Sequence, residues 1–275
     1  MDLGAHITAR LEAATLELFP FPHLIVEDFF PAEIYAQILE HNLFRDNVGT
    51  EWLSTHGKLM QTRTPYEARL QINFHRKDPY KATPAARKFW SDLSHEFLGT
   101  NRFVEAVIRK FPDYFALRYG ELSQAPDFVS LFRKELFLQR HKPGYFIGPH
   151  TDVPPRVFTC IFSFADRPGF EQYGTQMFVH KDRMVRCWGH DHYTTDEFEE
   201  RKIAPYKPNN FLLFFKTRQS FHGVRMIDES VPNQRYGMQF QFYEPLQGLL
   251  RDLSEPAIDR TRSFRAGALK QNLQA

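Results

Sequence analysis

Two hydrophobic periods divide the chain into a first half that predicts helices and a second half that predicts strands. Apolar residues recur every three or four positions over 7–18, which is the spacing of an amphipathic helix. Further helices are predicted over 32–43 and 85–98, because each range follows a proline and proline is well tolerated where a helix begins. Between these segments, period-two patterns predict short strands over 21–29 and 68–75.

From about residue 131 the pattern changes to short apolar runs separated by Pro, Gly, Asn and Asp. Several short strands with turn residues between them are typical of a β-sandwich or barrel. We therefore predict an α+β fold with a mainly β core, covered on one face by the helical first half. An α+β domain of another topology is equally compatible with this pattern. The predicted strands are 136–141, 157–164, 176–180, 211–215, 223–227 and 236–243.

No internal repeat, low-complexity tract or Gly/Ser linker marks a domain boundary. With 275 residues the chain is long for one small domain and short for two average ones, so we expect a single domain over 1–275. Within it, 1–130 is expected to form a helical support region with short strands and 131–246 the β core. The basic and polar range 247–275 is expected to form a terminal helix or tail.

Composition narrows the class of protein. Hydrophobic residues make up 42% of the chain and 28 residues are Phe, which provides for a large buried core and excludes a disordered chain. The formal net charge of +2 is too balanced to indicate a nucleic-acid or membrane partner. The first residues lack the apolar stretch of a signal peptide, so a cytoplasmic location is expected. Cys160 and Cys187 form no CxxC pair, and both are expected to be reduced.

The densest group of potential metal ligands lies in the β half. Two His-x-Asp triplets occur there, one formed by His150 and Asp152 and the other by His180 and Asp182. The first is the better candidate because it follows a Pro-Gly turn and precedes a long apolar strand. On extended backbone its two side chains project to the same side and can reach one cation. His222 is the best third ligand, because it lies at a strand end between two apolar runs.

Two histidines and one carboxylate leave the opposite coordination positions of a metal ion open. Non-haem Fe(II) enzymes use this arrangement to bind a co-substrate and O2 at the same ion. Zinc accepts the same three ligands, but the surrounding residues favour iron.

Arg235 begins the last predicted strand and shares a polar face with Gly237, Gln239 and Gln241. Burying a guanidinium without an anion is costly, and a bound carboxylate would offset that cost through two parallel hydrogen bonds. The alternative is an arginine that reaches solvent from the end of its strand.

At this point an ordered set of motifs resembles the Fe(II)/2-oxoglutarate-dependent dioxygenases, and among them the prolyl-4-hydroxylase-like branch. The likeness is loose over about 220 residues and close over 136–243. It implies a double-stranded β-helix, which is a jelly-roll barrel with the metal at its mouth. An upstream stretch, PFPHLIVEDFFP, also resembles the segment that precedes that catalytic domain. The motifs, in order, are RHKPGYFIGPHTD, RVFT, YGTQMFVH, PNNFLLFF, SFHGV and QRYG.

The resemblance implies three iron ligands, His150, Asp152 and His222. It implies Fe(II), 2-oxoglutarate and O2 as cofactor and co-substrates, with ascorbate as an optional reductant. The implied activity is hydroxylation or another oxidation of a C–H bond, with succinate and CO2 as co-products.

For the co-substrate, the resemblance implies that Arg235 pairs with the distal carboxylate of 2-oxoglutarate and that the Thr159 hydroxyl bonds the same group. His141 stands where the family usually has Tyr, so it either donates to 2-oxoglutarate or is a packed strand residue. Gly237 stands where a Ser is common, so one hydroxyl contact is absent.

Some alternatives stay open. The substrate is a small molecule or a peptidyl residue, and the oligomeric state is not predicted. The polar range 181–202 is expected to be a loop near the barrel mouth, with His190 and His192 most simply in a solvated or lid loop. A different class of protein is a catalytically silent jelly-roll or a cupin-like module that binds a metal or ligand.

Overall fold

The computed structural model describes residues 2–45, 50–51, 68–74, 81–189, 191–230 and 235–244. The predicted tail over 247–275 and the loop residue His190 lie outside the described residues, as does the end of the strand predicted over 68–75.

Two of the three helices predicted for the first half begin within one residue of the predicted position. The first begins at Leu3 and ends at Ala13, four and five residues before its predicted bounds of 7 and 18. Asp2 accepts a hydrogen bond from the Ala5 N–H at the start of α1, and Thr83 accepts one from the Ala86 N–H at the start of α3, each at 3.2 Å. Pro84 occupies the first turn of α3. The second helix ends three residues earlier than predicted. The helices are α1 Leu3–Ala13, α2 Ala32–Glu40, α3 Pro84–Leu98, α4 Arg102–Lys110 and α5 Pro112–Tyr119.

Eight strands of the second half form the β core, and three shorter strands of the first half extend it. The core strands are β4 Arg133–His141, β5 Ile147–His150, β6 Arg156–Ser163, β7 Thr175–His180, β8 Phe198–Ala204, β9 Asn210–Phe215, β10 His222–Val224 and β11 Arg235–Tyr243. The added strands are β1 His23–Val26, β2 Thr50–Glu51 and β3 Arg69–Asn73.

The strands form two antiparallel sheets. The larger has the order β1-β9-β6-β11-β4-β3-β2 and the smaller the order β5-β10-β7-β8. Along the chain the core strands pass between the two sheets, so that β4, β6, β9 and β11 lie in one and the other four in the other. This is the topology of a double-stranded β-helix, which confirms the predicted jelly roll.

The helices cover the outer face of the larger sheet, as predicted. One buried cluster joins helix residues such as Trp90 and Phe97 to strand residues such as Phe158, Phe162 and Phe240. The alternation of β11 follows from this packing: its aromatic face joins the cluster, while Arg235 and the glutamines lie on the face toward the smaller sheet. Both cysteines are buried and free.

The range 181–202 is not a loop throughout, which corrects the prediction. Phe198 begins β8, which pairs with β7 and forms the edge of the smaller sheet. The sequence of β8, FEERKIA, has charged residues at four consecutive positions and therefore lacks the period-two apolar pattern. No helix among the described residues is long and apolar enough to cross a membrane.

Candidate metal centre

Strand pairing in the smaller sheet brings two histidines together. His150 ends β5 and His222 begins β10, and they are direct partners in the antiparallel register of these strands. Asp152 follows two residues after the end of β5. One ligand atom from each of the three side chains lies within 4.8 Å of the others. The structure thus assembles the three residues that the sequence nominates, from positions up to 72 apart in the chain.

Backbone carbonyls orient both imidazoles in the same way. His150 Nδ1 lies 3.0 Å from Gly148 O, and His222 Nδ1 lies 2.9 Å from Ser220 O. A carbonyl oxygen only accepts, so each Nδ1 carries the proton and donates it, which leaves the lone pair on Nε2. Burial lowers the pKa of His150 well below its usual range and also lowers the pKa of His222. Both rings are therefore neutral, as metal ligands must be.

Two donors hold the carboxylate of Asp152. The Arg156 guanidinium pairs with Oδ1, and the Thr159 hydroxyl donates to Oδ2 at 2.7 Å. Burial alone would raise the pKa of Asp152, but the charge of Arg156 and the other donors lower it overall, so the group is ionised. The Thr159 hydroxyl is thus directed at Asp152 in this structure, and its predicted contact with 2-oxoglutarate stays a prediction.

A row of basic side chains crosses the larger sheet on the face toward the smaller one. Arg69 of β3 and Arg235 of β11 are both register partners of His141 on the intervening strand β4. Residues opposite each other on neighbouring strands project to the same face of a sheet. The row therefore brings two guanidinium groups and one imidazole to one end of the barrel interior.

Arg235 is buried, and within the described residues no carboxylate forms an ion pair with it: the titratable groups that act on it are Tyr145, Tyr206 and Arg69. Its Nη1 lies 2.8 Å from His141 Nδ1. Because a guanidinium only donates, His141 Nδ1 accepts and the imidazole proton is on Nε2. Burial, with Arg235 and Arg69 nearby, lowers the pKa of His141 well below its usual range, consistent with a neutral ring.

His141 Nε2 and Arg235 Nε are both buried, and neither has a hydrogen-bond partner in the described part of the chain. The His141 ring stacks on Tyr145 with 4.0 Å between centroids. His141 is therefore a packed strand residue that also carries an unpartnered donor, so the two alternatives from the sequence are compatible.

The second His-x-Asp triplet is not part of the metal cluster. His180 Nδ1 accepts from the Asp182 N–H at 2.9 Å in a local turn, and neither residue joins the group of ligand atoms found among the described residues. His192 does lie at the centre: its ring stacks on His150 with 4.6 Å between centroids.

Two residues near the centre were not predicted from the sequence. The sequence did contain a signal for Arg156, because a cation four residues after Asp152 could pair with that carboxylate. Lys216 had no signal, since a lysine after an apolar strand is usually exposed. It is fully buried, and its Nζ donates to Thr151 Oγ1 at 2.7 Å. Burial lowers the pKa of Lys216 to about 7.

No family model and no curated protein matches the chain. Solved structures do, at low sequence identity. A prolyl-4-hydroxylase from Pseudomonas putida is 12% identical, with a TM-score of 0.45 and coverage of 88% of this chain and 100% of that one. HygX from Streptomyces hygroscopicus, solved with nickel, 2-oxoglutarate and hygromycin B, is 10% identical, with a TM-score of 0.44 and 82% of each chain covered.

A third match is the Fe(II)/α-ketoglutarate-dependent dioxygenase TqaL. It is 11% identical, with a TM-score of 0.42 and coverage of 88% of this chain and 85% of that one.

Proposed function

We propose that the protein is an Fe(II)- and 2-oxoglutarate-dependent oxygenase that oxidises a C–H bond of a small molecule or a peptidyl residue. One observation carries the proposal: two neutral histidines and an ionised aspartate converge in a barrel whose interior also holds a buried arginine with no carboxylate partner among the described residues. The two histidines and the aspartate suit a metal ion, and the buried arginine suits an organic anion.

The donor set fits Fe(II). His150 and His222 offer Nε2 lone pairs, Asp152 offers a carboxylate oxygen, and three protein ligands leave the remaining positions of an octahedral ion open. When bound, Fe(II) and 2-oxoglutarate supply the oxidising chemistry, in which O2 and the keto acid are consumed and succinate and CO2 are released.

The residues around Asp152 would orient its carboxylate for the metal ion. Each carboxylate oxygen already accepts a hydrogen bond, Oδ1 from Arg156 and Oδ2 from Thr159. Each oxygen keeps a second lone pair for a metal ion, and the two donors would fix the orientation in which the carboxylate offers it.

The basic row would hold the far end of the co-substrate. Arg235 would pair with the distal carboxylate of 2-oxoglutarate, and the Nε2–H of His141 would donate to the same group. His141 would have two roles. Its Nε2–H would donate to the co-substrate, and its Nδ1, which accepts from Arg235, would fix the guanidinium. The neutral ring adds a donor without adding a third positive charge.

The first test is an anaerobic titration of the metal-free protein with Fe(II) and 2-oxoglutarate. The chelate of these two should give a weak visible metal-to-ligand charge-transfer band in the wild type and none in His222→Ala. Absence of the band in the wild type, with zinc or no metal found by metal analysis, would reject the proposal and favour a silent or cupin-like binding module.

Alanine at any ligand should abolish iron-dependent turnover while the fold is kept, and this applies to His150→Ala, Asp152→Ala and His222→Ala. The matched controls are His180→Ala and Asp182→Ala from the second triplet, which should bind iron as the wild type does. Retained activity in a ligand variant would remove that residue from the set.

A further inference from the structure

Part of the chain after β7 packs directly on residues 149–152, the end of β5 and the turn after it. We call these residues the ligand loop because they include His150 and Asp152. We call residues 187–189 and 191–193 the cover segment. The Tyr193 N–H donates to Pro149 O at 2.9 Å, and the Thr151 hydroxyl donates to Cys187 O at 3.1 Å. These contacts join the cover segment to Pro149 and Thr151, the residues on either side of His150.

His192 is the side chain of the cover segment that reaches the metal centre. Its backbone forms an isolated β-bridge with His150, and its ring stacks on the His150 ring at 4.6 Å and 22° between planes. The centroid of the His222 ring lies 4.3 Å from that of the His150 ring, and the two ring planes are tilted by 49°. Among the described residues, the His150 imidazole therefore has two ring neighbours, of which His192 is the nearly parallel one.

The geometry does not make His192 a fourth ligand. A ligand offers an atom that converges with the other ligand atoms on one point, so convergence decides whether His192 belongs to the set. The group of convergent ligand atoms found in the described ranges contains His150, Asp152 and His222 without His192.

We propose that His192 is a positioning residue that fixes the ring plane of the metal ligand His150 by stacking on it, an inference that rests on the proposed function. The Nδ1–H bond of His150 to Gly148 O holds the ring at one edge. A hydrogen bond at one edge leaves the ring free to tilt about that contact, and a flat neighbour at stacking distance removes this freedom. With the plane fixed, the Nε2 lone pair keeps a single direction.

The test uses Co²⁺ alone as the probe, because its visible absorption reports coordination geometry and needs no turnover. Purified metal-free wild type, His192→Ala and His192→Phe are titrated with Co²⁺. His192→Ala should raise the dissociation constant by about three- to tenfold and change the visible spectrum. His192→Phe, which keeps a flat ring but has no nitrogen, should restore both to the wild-type values.

His180→Ala is the matched control, since the His180 ring also packs on Tyr193 of the cover segment but has no ring contact with a candidate ligand among the described residues. It should bind Co²⁺ as the wild type does. Equal affinity and spectrum in wild type and His192→Ala would overturn the proposal. So would loss of binding in both His192 variants, because that result would make the imidazole nitrogen essential.

Thermal unfolding of each metal-free variant checks that the fold is kept. If His192→Ala does not fold, His192→Leu replaces it, since leucine fills the space without a flat ring and should show the same weakened binding. A wild type that binds no Co²⁺ would reject the proposed function itself. A wild type that binds one Co²⁺, with variants equal to it, would reject only the role of His192.

Discussion

At the scale of single residues, the Thr159 hydroxyl has a different partner in the structure from the one that the family resemblance implies. The partner is Asp152 in the structure and 2-oxoglutarate in the resemblance. The hydroxyl donates to Asp152 at 2.7 Å, so Thr159→Val should weaken metal binding by about tenfold, the usual cost of losing a partner of a metal ligand. The affinity of the metal-loaded protein for 2-oxoglutarate should change much less. Calorimetric titration with the metal, then with 2-oxoglutarate, measures both.

Thr159→Ser keeps the hydroxyl and should behave as the wild type in both titrations. The opposite result, with metal binding kept and 2-oxoglutarate binding lost in Thr159→Val, would support the role that the family resemblance implies and count against the role in the structure.

Arg235 is the second residue-scale case. Arg235→Gln removes the buried charge that would pair with the distal carboxylate, so 2-oxoglutarate binding should weaken by about 2–5 kcal/mol. Metal affinity should stay within about twofold, since the change lies outside the ligand set. The control is Arg140→Gln: Arg140 precedes His141 on β4, but its guanidinium lies on the opposite face, over the Phe44 ring. Equal losses in both variants would refute a specific role for Arg235.

At the scale of elements, a buried ion pair ties α5 to the loop after Asp152. The Arg118 guanidinium of α5 contacts Glu244 Oε1 at 2.6 Å and donates to Pro154 O at 3.2 Å. The Glu244 N–H in turn donates to Pro155 O at 2.7 Å. A helix on the outer face of the barrel thus holds the two prolines that follow the ligand loop.

Glu244→Gln should leave Arg118 buried without its counter-charge, and removing one partner of a buried pair lowers the free energy of unfolding by about 3–5 kcal/mol. Chemical denaturation measures the loss. Asp92→Asn is the comparison, because the Lys88–Asp92 pair is exposed on α3 and its loss should cost less than about 1 kcal/mol. Similar losses in the two variants would mean that burial does not decide the cost here.

The cover segment depends on one glycine. Gly189 has φ of +113°, and a Cβ there would lie 2.2 Å from Asp152 O. Gly189→Ala should therefore push the cover segment off the ligand loop and weaken Co²⁺ binding. Gly169→Ala carries a similar backbone strain at φ +105° with nothing within 4 Å of its Cβ, so it should lower stability but leave Co²⁺ affinity unchanged. Equal Co²⁺ affinities in the two variants would show that the cover segment does not support the centre.

At the scale of the whole molecule, buried neutral histidines make the metal-free protein sensitive to acid. Burial, with His222 nearby, lowers the pKa of His192 from 6.5 to about 4. As the pH falls, His192 is therefore protonated in the unfolded chain at a higher pH than in the folded protein. The stability that the neutral ring provides is complete above about pH 6.5 and is lost as the pH falls toward about 4.

The His192 share of this loss is about 3 kcal/mol, and the half-buried His150 and the buried His141 and His222 change stability in the same direction. Denaturation of the metal-free protein at pH 7.5, 6 and 5 measures the slope. His192→Phe should show a smaller slope than the wild type. A free energy of unfolding that is constant down to pH 5 would contradict the buried, neutral state of these rings.

The sequence alone determined the features that depend on neighbours in the chain. Prolines predicted where α2 and α3 begin, and the period-two pattern of β11 predicted which of its faces is apolar. The order of motifs predicted the jelly roll and the three candidate ligands. The edge strand β8 escaped detection because an exposed strand of charged residues carries no apolar alternation.

Only the tertiary structure decided which distant residues meet. The antiparallel register of β5 and β10 places His150 opposite His222, and the registers of β3, β4 and β11 align Arg69, His141 and Arg235 in one row. The partners of Asp152 and the stacking of His192 likewise depend on packing between segments. A local pattern specifies the face on which a side chain lies, but strand register and packing specify its neighbour across the sheet.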